Sequence, residues 1–486
     1  SSVFVCGRSG EGKTSLVEHF LIGLGGSQVS LTGRCYDRES VPFKAMDGLI
    51  DQLTNHLRGL PESEAAILMP DDIGFLADLF PVLNRVEAVQ KLKRRSKAEL
   101  DQQQIRTRAF AALKSLLTRL TRNAPIILFS DDLQWGDEDS AEALFQILCG
   151  DEPPQLMFVG SYRSDEAETS PFIRKWRELT EGMELQHESV TVSPLSIEEC
   201  TQLAVQLIGQ DNPNIRQMVF QFASETGGNP MLFIELIGCY DPATDSFEAL
   251  PIEDLIARKL DRLPKSAKPL LEFLAVAGQR TEIDELALAS EVQQEAESIA
   301  TAMRSEKLVR LIGEGEFISI DTYHDKIRET VLRCLADEKR SSIHRSLGAA
   351  IEEAIGTPRV VELRTSLDGN RELSDAFQER VFDLSYHYDG AGDSERAFIY
   401  ACLAARQASQ QFSQSVAVEQ FSIASRNLDR TNNRDRFRVA LGIGRANCLL
   451  GHYDRAKQEL DGATELTTDP IEQAEVLGIR GQIAHN

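Results

Sequence analysis

Short apolar runs separated by longer stretches of helical periodicity mark the first 193 residues. Val3-Phe4-Val5-Cys6, Pro125-Ile126-Ile127-Leu128-Phe129 and Leu156-Met157-Phe158-Val159 are continuous apolar runs, the pattern of strands buried on both faces. Gln28 to Gly33 alternates apolar and polar residues and predicts another strand; Val190-Thr191-Val192 predicts the last. Helical patterns fill Ser15 to Leu24, Pro42 to Arg58, Asp71 to Leu83 and Val89 to Arg122. Strands alternating with helices predict a doubly wound parallel α/β sheet over residues 1–193.

Beyond residue 193 the periodicity becomes almost wholly helical. Ser196-Ile197-Glu198-Glu199 reads as a capping box opening a helix to Ile208. A helix from Asn214 to Glu225 and a third from Asn229-Pro230 through Tyr240 complete a helical lid, 194–250. Helices are predicted over Ile252 to Leu263, Lys265 to Ala277, Thr281 to Ser290 and Glu291 to Ser305. Leu308 to Ile312 and Phe317 to Ile320 then flank Gly313-Glu314-Gly315-Glu316 as a hairpin. Helices followed by a β-wing predict a winged helix, 251–345.

No strand pattern follows residue 346. Helices read over Arg380 to Tyr388, Ser394 to Ala408 and Gln414 to Leu428. Gly444, Gly451, Tyr453, Ala456, Leu460 and Ala463 occupy the small and aromatic positions of a tetratricopeptide-like unit, and Leu477-Gly478 repeats Ile443-Gly444 at a 34-residue step. An α-solenoid of such helices is expected over 346–486, with a plain helical bundle as the alternative. The fold class is thus multidomain, α/β followed by α.

Composition narrows the partners. The 486 residues exceed one ordinary core. A net charge of −24 repels nucleic acid and anionic membranes, so neither is an expected partner. The basic run Lys91-Leu92-Lys93-Arg94-Arg95-Ser96-Lys97 reads as a solvated helix face. Val292 to Ser305, the candidate recognition stretch of the winged helix, carries one cation and two glutamates, which suits a regulatory module. Eight scattered cysteines without a C-x-x-C pair suggest neither a zinc ribbon nor a disulfide framework. Reduced thiols and a cytoplasmic location are the expectation. Both ends read as cut: Ser1-Ser2 opens directly on a strand, and Asn486 falls inside an unfinished repeat. A fragment of a longer polypeptide is expected.

The chemistry begins at Gly7-Arg8-Ser9-Gly10-Glu11-Gly12-Lys13-Thr14, which fits G-x-x-x-x-G-K-[ST] between a strand and a helix. Glycines let backbone N–H groups curl around phosphate oxygens, and the helix N-terminus adds positive potential. Gly7, Ser9, Gly10, Gly12, Lys13, Thr14 and Ser15 are the candidate positions for ATP or ADP. Lys13 would reach the β- and γ-phosphates, and the Thr14 hydroxyl would ligate Mg²⁺. Asp131 and Asp132 end an apolar strand, where open α/β sheets bind ligands. Asp131 would hold the Mg²⁺ shell and Asp132 would polarise the attacking water. Arg163, just beyond the Leu156–Tyr162 run, could report the γ-phosphate or sit on a surface loop.

A family resemblance rests on Leu128-Phe129-Ser130-Asp131-Asp132-Leu133-Gln134-Trp135 with Asp137 and Ser140, on Gly160-Ser161-Tyr162-Arg163, and on Gly228-Asn229-Pro230. Over essentially the whole chain it resembles the STAND group, signal-transduction P-loop ATPases with numerous domains, and in particular bacterial AAA-type modules found beside kinases and cyclases. Tyr323-His324-Asp325 resembles the Met-His-Asp motif of that group, with Tyr for Met. The resemblance implies that Pro230 packs near adenine and that His324 contacts the β-phosphate of ADP. It implies a slow, regulatory ATPase switch, an inducer (protein or small molecule) at the helical repeats, and an effector domain on the same polypeptide, for which a serine/threonine protein kinase is a candidate. A nucleotide-driven oligomer is also expected. A ring-forming AAA-type motor and a nucleotide-holding scaffold are the alternative readings.

Overall fold

The computed structural model describes residues 1–486 except 38–40, 93–101, 150–151, 184–186, 210–212, 239, 242–245, 248–251, 293–294, 313–317, 358–359, 368–373 and 486. Five parallel strands form the first sheet: β1 (Ser2–Gly7), β2 (Val29–Arg34), β3 (Ile126–Asp131), β4 (Leu156–Arg163) and β5 (His187–Thr191), in the order β2-β3-β4-β1-β5. Every residue of β3 is buried, as its unbroken apolar run requires. Among the described residues, the α-helices that accompany them are α1 (Lys13–Gly23), α2 (Lys44–Gly59), α3 (Glu62–Leu68), α4 (Ile73–Leu79), α5 (Glu87–Gln90), α6 (Gln102–Leu120), α7 (Glu138–Cys149) and α8 (Pro171–Thr180). Val17 of α1 packs with Val5, Ile127, Phe129 and Val159 on one face of the sheet. The opposite face carries the larger core, in which Leu31, Leu128 and Phe158 meet Leu116, Ile147 and Trp176.

The helix predicted from Val89 to Arg122 divides: α5 ends at Gln90 and α6 begins at Gln102. The basic run lies outside the described residues from residue 93 onward. Asp71 to Leu83 likewise splits into α4 and a 3₁₀ turn, Pro81–Arg85, because proline cannot continue the helix.

Helices α9 (Ile197–Ile208), α10 (Pro213–Thr226) and α11 (Pro230–Ile237) pack together around Phe222 and Phe233. The capping box is realised: Ser196 Oγ accepts the Glu199 N–H while Glu199 accepts the Ser196 N–H. The helix expected to reach Tyr240 stops at Ile237, and β6 (Tyr240–Asp241) pairs with β7 (Ser246–Phe247) instead.

The next unit holds α12 (Ile252–Asp261), α13 (Ala267–Ala277), β8 (Thr281–Glu282), α14 (Ile283–Ser290), α15 (Ala296–Ser305), β9 (Val309–Ile312), β10 (Ser319–Thr322), α16 (Asp325–Cys334) and α17 (Asp337–Ile355). Strands β9 and β10 are the predicted hairpin, and its turn, 313–317, lies outside the described residues. Thr281-Glu282 was expected to be helical; it adds a third strand along β10, because Ile283 N–H already bonds Ile318 O. Leu271, Leu286, Met303 and Ile320 form the core of this unit. Helix α17 runs unbroken through residue 345, so the boundary expected there falls inside a helix.

Those helices are α18 (Val360–Ser366), α19 (Asp375–Gly390), α20 (Ser394–Gln410), α21 (Gln414–Asn427), α22 (Asn433–Leu449), α23 (Tyr453–Leu466) and α24 (Pro470–His485). Their spacing needs small residues at the contacts. A side chain at Gly442 would drive into the Phe421 ring, and one at Gly444 would meet Leu460 at 2.9 Å. The array folds back onto the first domain: Gln411 Nε2 donates to Leu79 O at 3.0 Å, and Ser413 Oγ donates to Asp139 at 2.7 Å.

Candidate nucleotide site

The loop after β1 has the backbone of a phosphate cradle. Gly10 (φ 81°) and Gly12 (φ 93°) take left-handed conformations that L side chains resist. Lys13 Nζ lies back along the loop, donating to Gly7 O and Arg8 O at 2.9 Å each. Burial lowers the pKa of this ammonium, although Asp132 and Asp131 counteract that effect. Glu11 is buried and accepts the Arg8 N–H, which braces the loop.

Across the sheet, β3 delivers the two carboxylates. Thr14 Oγ1 donates to Asp131 Oδ2 at 2.9 Å, and Ser161 Oγ donates to Asp131 Oδ1. Burial raises the Asp131 carboxyl, and the adjacent Asp132 raises it further. A hydroxyl and a carboxylate in contact, in a place where negative charge is unfavourable, fit a hard divalent cation with oxygen ligands. Thr14 and Asp131 would hold Mg²⁺ there, and the ion would neutralise phosphate charge.

The Asp-Asp-Leu-Gln-Trp string now has a physical account. Asp132 sits at φ 58°, so the chain turns sharply and its carboxylate faces Arg34 and Gln134. Gln134 is a brace: its amide donates to Asp132 Oδ1 at 2.9 Å, and its carbonyl accepts Arg163 N–H at 3.0 Å. Leu133 packs under Gly160, where an added Cβ would approach it to 2.5 Å. The Trp135 ring carries the Arg163 guanidinium 4.6 Å from its centroid. Asp137 accepts the Lys44 and Ser140 N–H groups, tying α2 to α7.

The α9–α11 unit meets the loop through Asn229. Its Nδ2 donates to Ser9 O at 2.8 Å, and Met231 N–H donates to Gly10 O at 3.3 Å. A Cβ at Gly10 would lie 2.7 Å from the Asn229 side chain, so glycine is needed for contact as well as for φ. Pro230 occupies the first turn of α11, with Asn229 as its cap.

The unit built from α12 to α17 reaches the same edge. Asp325 accepts Arg34 Nη2 at 2.9 Å and Arg163 Nη2 at 2.5 Å. Arg34, at the end of β2, also pairs with Asp132 at 2.9 Å and Asp321 at 3.3 Å. Burial works to raise the Asp325 carboxyl, yet the two guanidiniums outweigh it and hold its pKa below the ordinary range. His324 caps α16: its Nδ1 accepts the Lys326 N–H at 3.1 Å, so the neutral ring carries its proton on Nε2. Burial pushes the imidazole pKa down to about 4. Among the described residues Nε2–H has no hydrogen-bond partner.

The structure therefore brings Gly7, Lys13, Thr14, Asp131, Asp132 and Arg163 to one edge of the sheet. Pattern reading missed Arg34, Gln134 and Ser161 as site residues. The signal for Arg34 was available: a lone cation at the C-terminal end of a strand in an open α/β sheet.

Residues 1–159 match the family model described as the AAA ATPase domain. The first domain is accordingly an AAA-type, P-loop ATPase domain. The whole chain is similar, at 15% identity and a TM-score of 0.48, to a STAND protein with a tetratricopeptide repeat sensor from Pyrococcus horikoshii; the alignment covers 99% of this chain and 65% of that one. It is also similar to Cdc6p of Pyrobaculum aerophilum (12% identity, TM-score 0.30, 71% of this chain and 88% of that one). A third likeness is to the Orc1 protein of Aeropyrum pernix (13%, 0.26, 69% and 87%). No curated protein matches the chain. Among the described residues, no helix is long and apolar enough to cross a membrane.

Proposed function

We propose that this chain is the regulatory module of a STAND-type switch, binding Mg-ATP and hydrolysing it slowly. One observation carries the reading: Asp325, next to His324, ties the winged-helix unit to both Arg34 and Arg163, at the strand ends where a triphosphate would be handled. In this arrangement Asp132 is committed to Arg34 and Gln134. A carboxylate so held is poorly placed to take a proton from water, which supports a slow turnover. The Nε2–H of His324, without a hydrogen-bond partner among the described residues, is a neutral donor suited to a diphosphate oxygen. Binding of ADP would favour the latched arrangement. ATP would compete with Asp325 for Arg163 and shift the population toward release.

Gly7, Ser9, Gly10, Gly12 and Ser15 provide the cradle, Pro230 the adenine wall, and Thr14 with Asp131 the Mg²⁺ ligands. The helical array senses an inducer, and an effector domain on the same polypeptide, a serine/threonine kinase, receives the output. The hold of Glu166 and Asp325 on Arg163 within one chain favours a switch over a ring motor that needs this arginine in trans. Titration of a fluorescent ATP analogue into wild type and Lys13→Ala tests the reading. Loss of binding in the variant is expected; equal affinity refutes it.

A further inference from the structure

A cavity of about 410 Å³ opens where three units meet, running outward from Thr14 and Asp131. Its walls come from the ATPase domain, the winged-helix unit, α19 and the C-terminal end of α20. The size falls in the ~300–1,000 Å³ range of small-molecule sites. Most charges on the walls are already matched: Arg85 pairs with Glu379, Arg380 with Glu285 and Asp383, Arg34 with Asp321, and Arg310 with Glu18.

Two charges break that rule. Asp51, on α2, and Arg280, in the turn between α13 and β8, both line the cavity. Among the described residues neither has a hydrogen bond or an ion pair, yet Asp51 interacts electrostatically with Arg280 and, less strongly, with Arg85, whose own partner Glu379 opposes that effect. Asp51 and Arg280 stand on walls from different units, close enough to feel each other but not in contact. Burial raises the Asp51 carboxyl above its ordinary pKa, so its charge is incompletely compensated. Glu282, also on the wall, is solvent-exposed.

A cation alone would leave Arg280 unmatched, and an anion alone would leave Asp51 unmatched. We propose that the cavity binds a small zwitterion of the amino-acid or dipeptide class, its ammonium on Asp51 and its carboxylate on Arg280. Because these residues belong to different units, such a ligand fastens the winged helix to the ATPase domain. The regulatory consequence rests on the switch reading above; the binding itself does not.

The test uses the full chain and a panel of the proteinogenic amino acids and simple dipeptides, read by thermal shift and calorimetry. At least one member is expected to bind, and its amide and its decarboxylated amine to bind at least tenfold more weakly. Asp51→Asn and Arg280→Gln are each expected to weaken binding at least tenfold while ATP-analogue binding shows that they fold. Lys13→Ala is expected to keep the zwitterion while losing nucleotide, which separates failure of this proposal from failure of the switch. No binding across the panel, or binding indifferent to both substitutions, overturns it.

Discussion

Replacing Asp325 by alanine probes the latch at its most connected point. The carboxylate takes one guanidinium contact from Arg34 and one from Arg163, and its side chain is 18% exposed. Hydrogen bonds to charged groups are worth about 1.5–3 kcal/mol each, and orphaning a buried ionic partner costs about 3–5 kcal/mol. Partial exposure and the remaining partners of Arg34 (Asp132, Asp321) reduce the loss. A cost of about 3 kcal/mol to the latched arrangement is expected, or roughly a hundredfold in its population. Hydrogen exchange should quicken across β10 and α16, and a fluorescent ADP analogue should dissociate faster. Arg163→Ala should show part of the same effect, and the double variant should be less than additive. Unchanged exchange and unchanged ADP release in Asp325→Ala would refute the latch.

Three further outcomes are expected. His324 has a folded pKa of about 4, below its ordinary 6.5, so its contribution is present above pH 6.5 and is lost as pH falls toward 4. The difference in denaturant stability between wild type and His324→Asn should move by about 2 kcal/mol against the wild type from pH 7 to pH 5; a pH-independent difference contradicts the buried, neutral ring. Gly442→Leu should collide with Phe421 and cost about 1–3 kcal/mol, read as a lower melting temperature; no change would mean that α21 and α22 are not in close contact. Asn229→Ala removes the bond to Ser9 O and the cap of α11, so about 1–2 kcal/mol of lid closure should be lost. Faster proteolysis within the lid, without global unfolding, is the readout.

Local patterns carried the reading where one residue decides the outcome alone. The buried run of β3, the glycine loop and the Ser196 capping box each follow from short-range chemistry, and each appears where the sequence predicts it. The hairpin of β9 and β10 was legible for the same reason. What escaped depends on partners far along the chain. Thr281-Glu282 is a strand only because β10 lies beside it. Arg34 became a site residue through Asp321 and Asp325, almost three hundred positions away, and no periodicity encodes such a meeting. Tyr323-His324-Asp325 drew attention through its histidine, whereas its aspartate makes the ion pairs across units. The roles of Pro230 and His324 toward nucleotide stand as proposals, tied to what their neighbours Asn229 and Asp325 hold.

The place of β1 in the sheet bears on how the molecule is made. This strand lies between β4 and β5, so both of its hydrogen-bonding edges wait for segments synthesised much later. At roughly 5–20 residues per second, the ribosome needs on the order of 10–30 s to deliver the next neighbour. Throughout that interval Val3, Phe4 and Val5 are an apolar ribbon without a mate, a natural client for a holding chaperone.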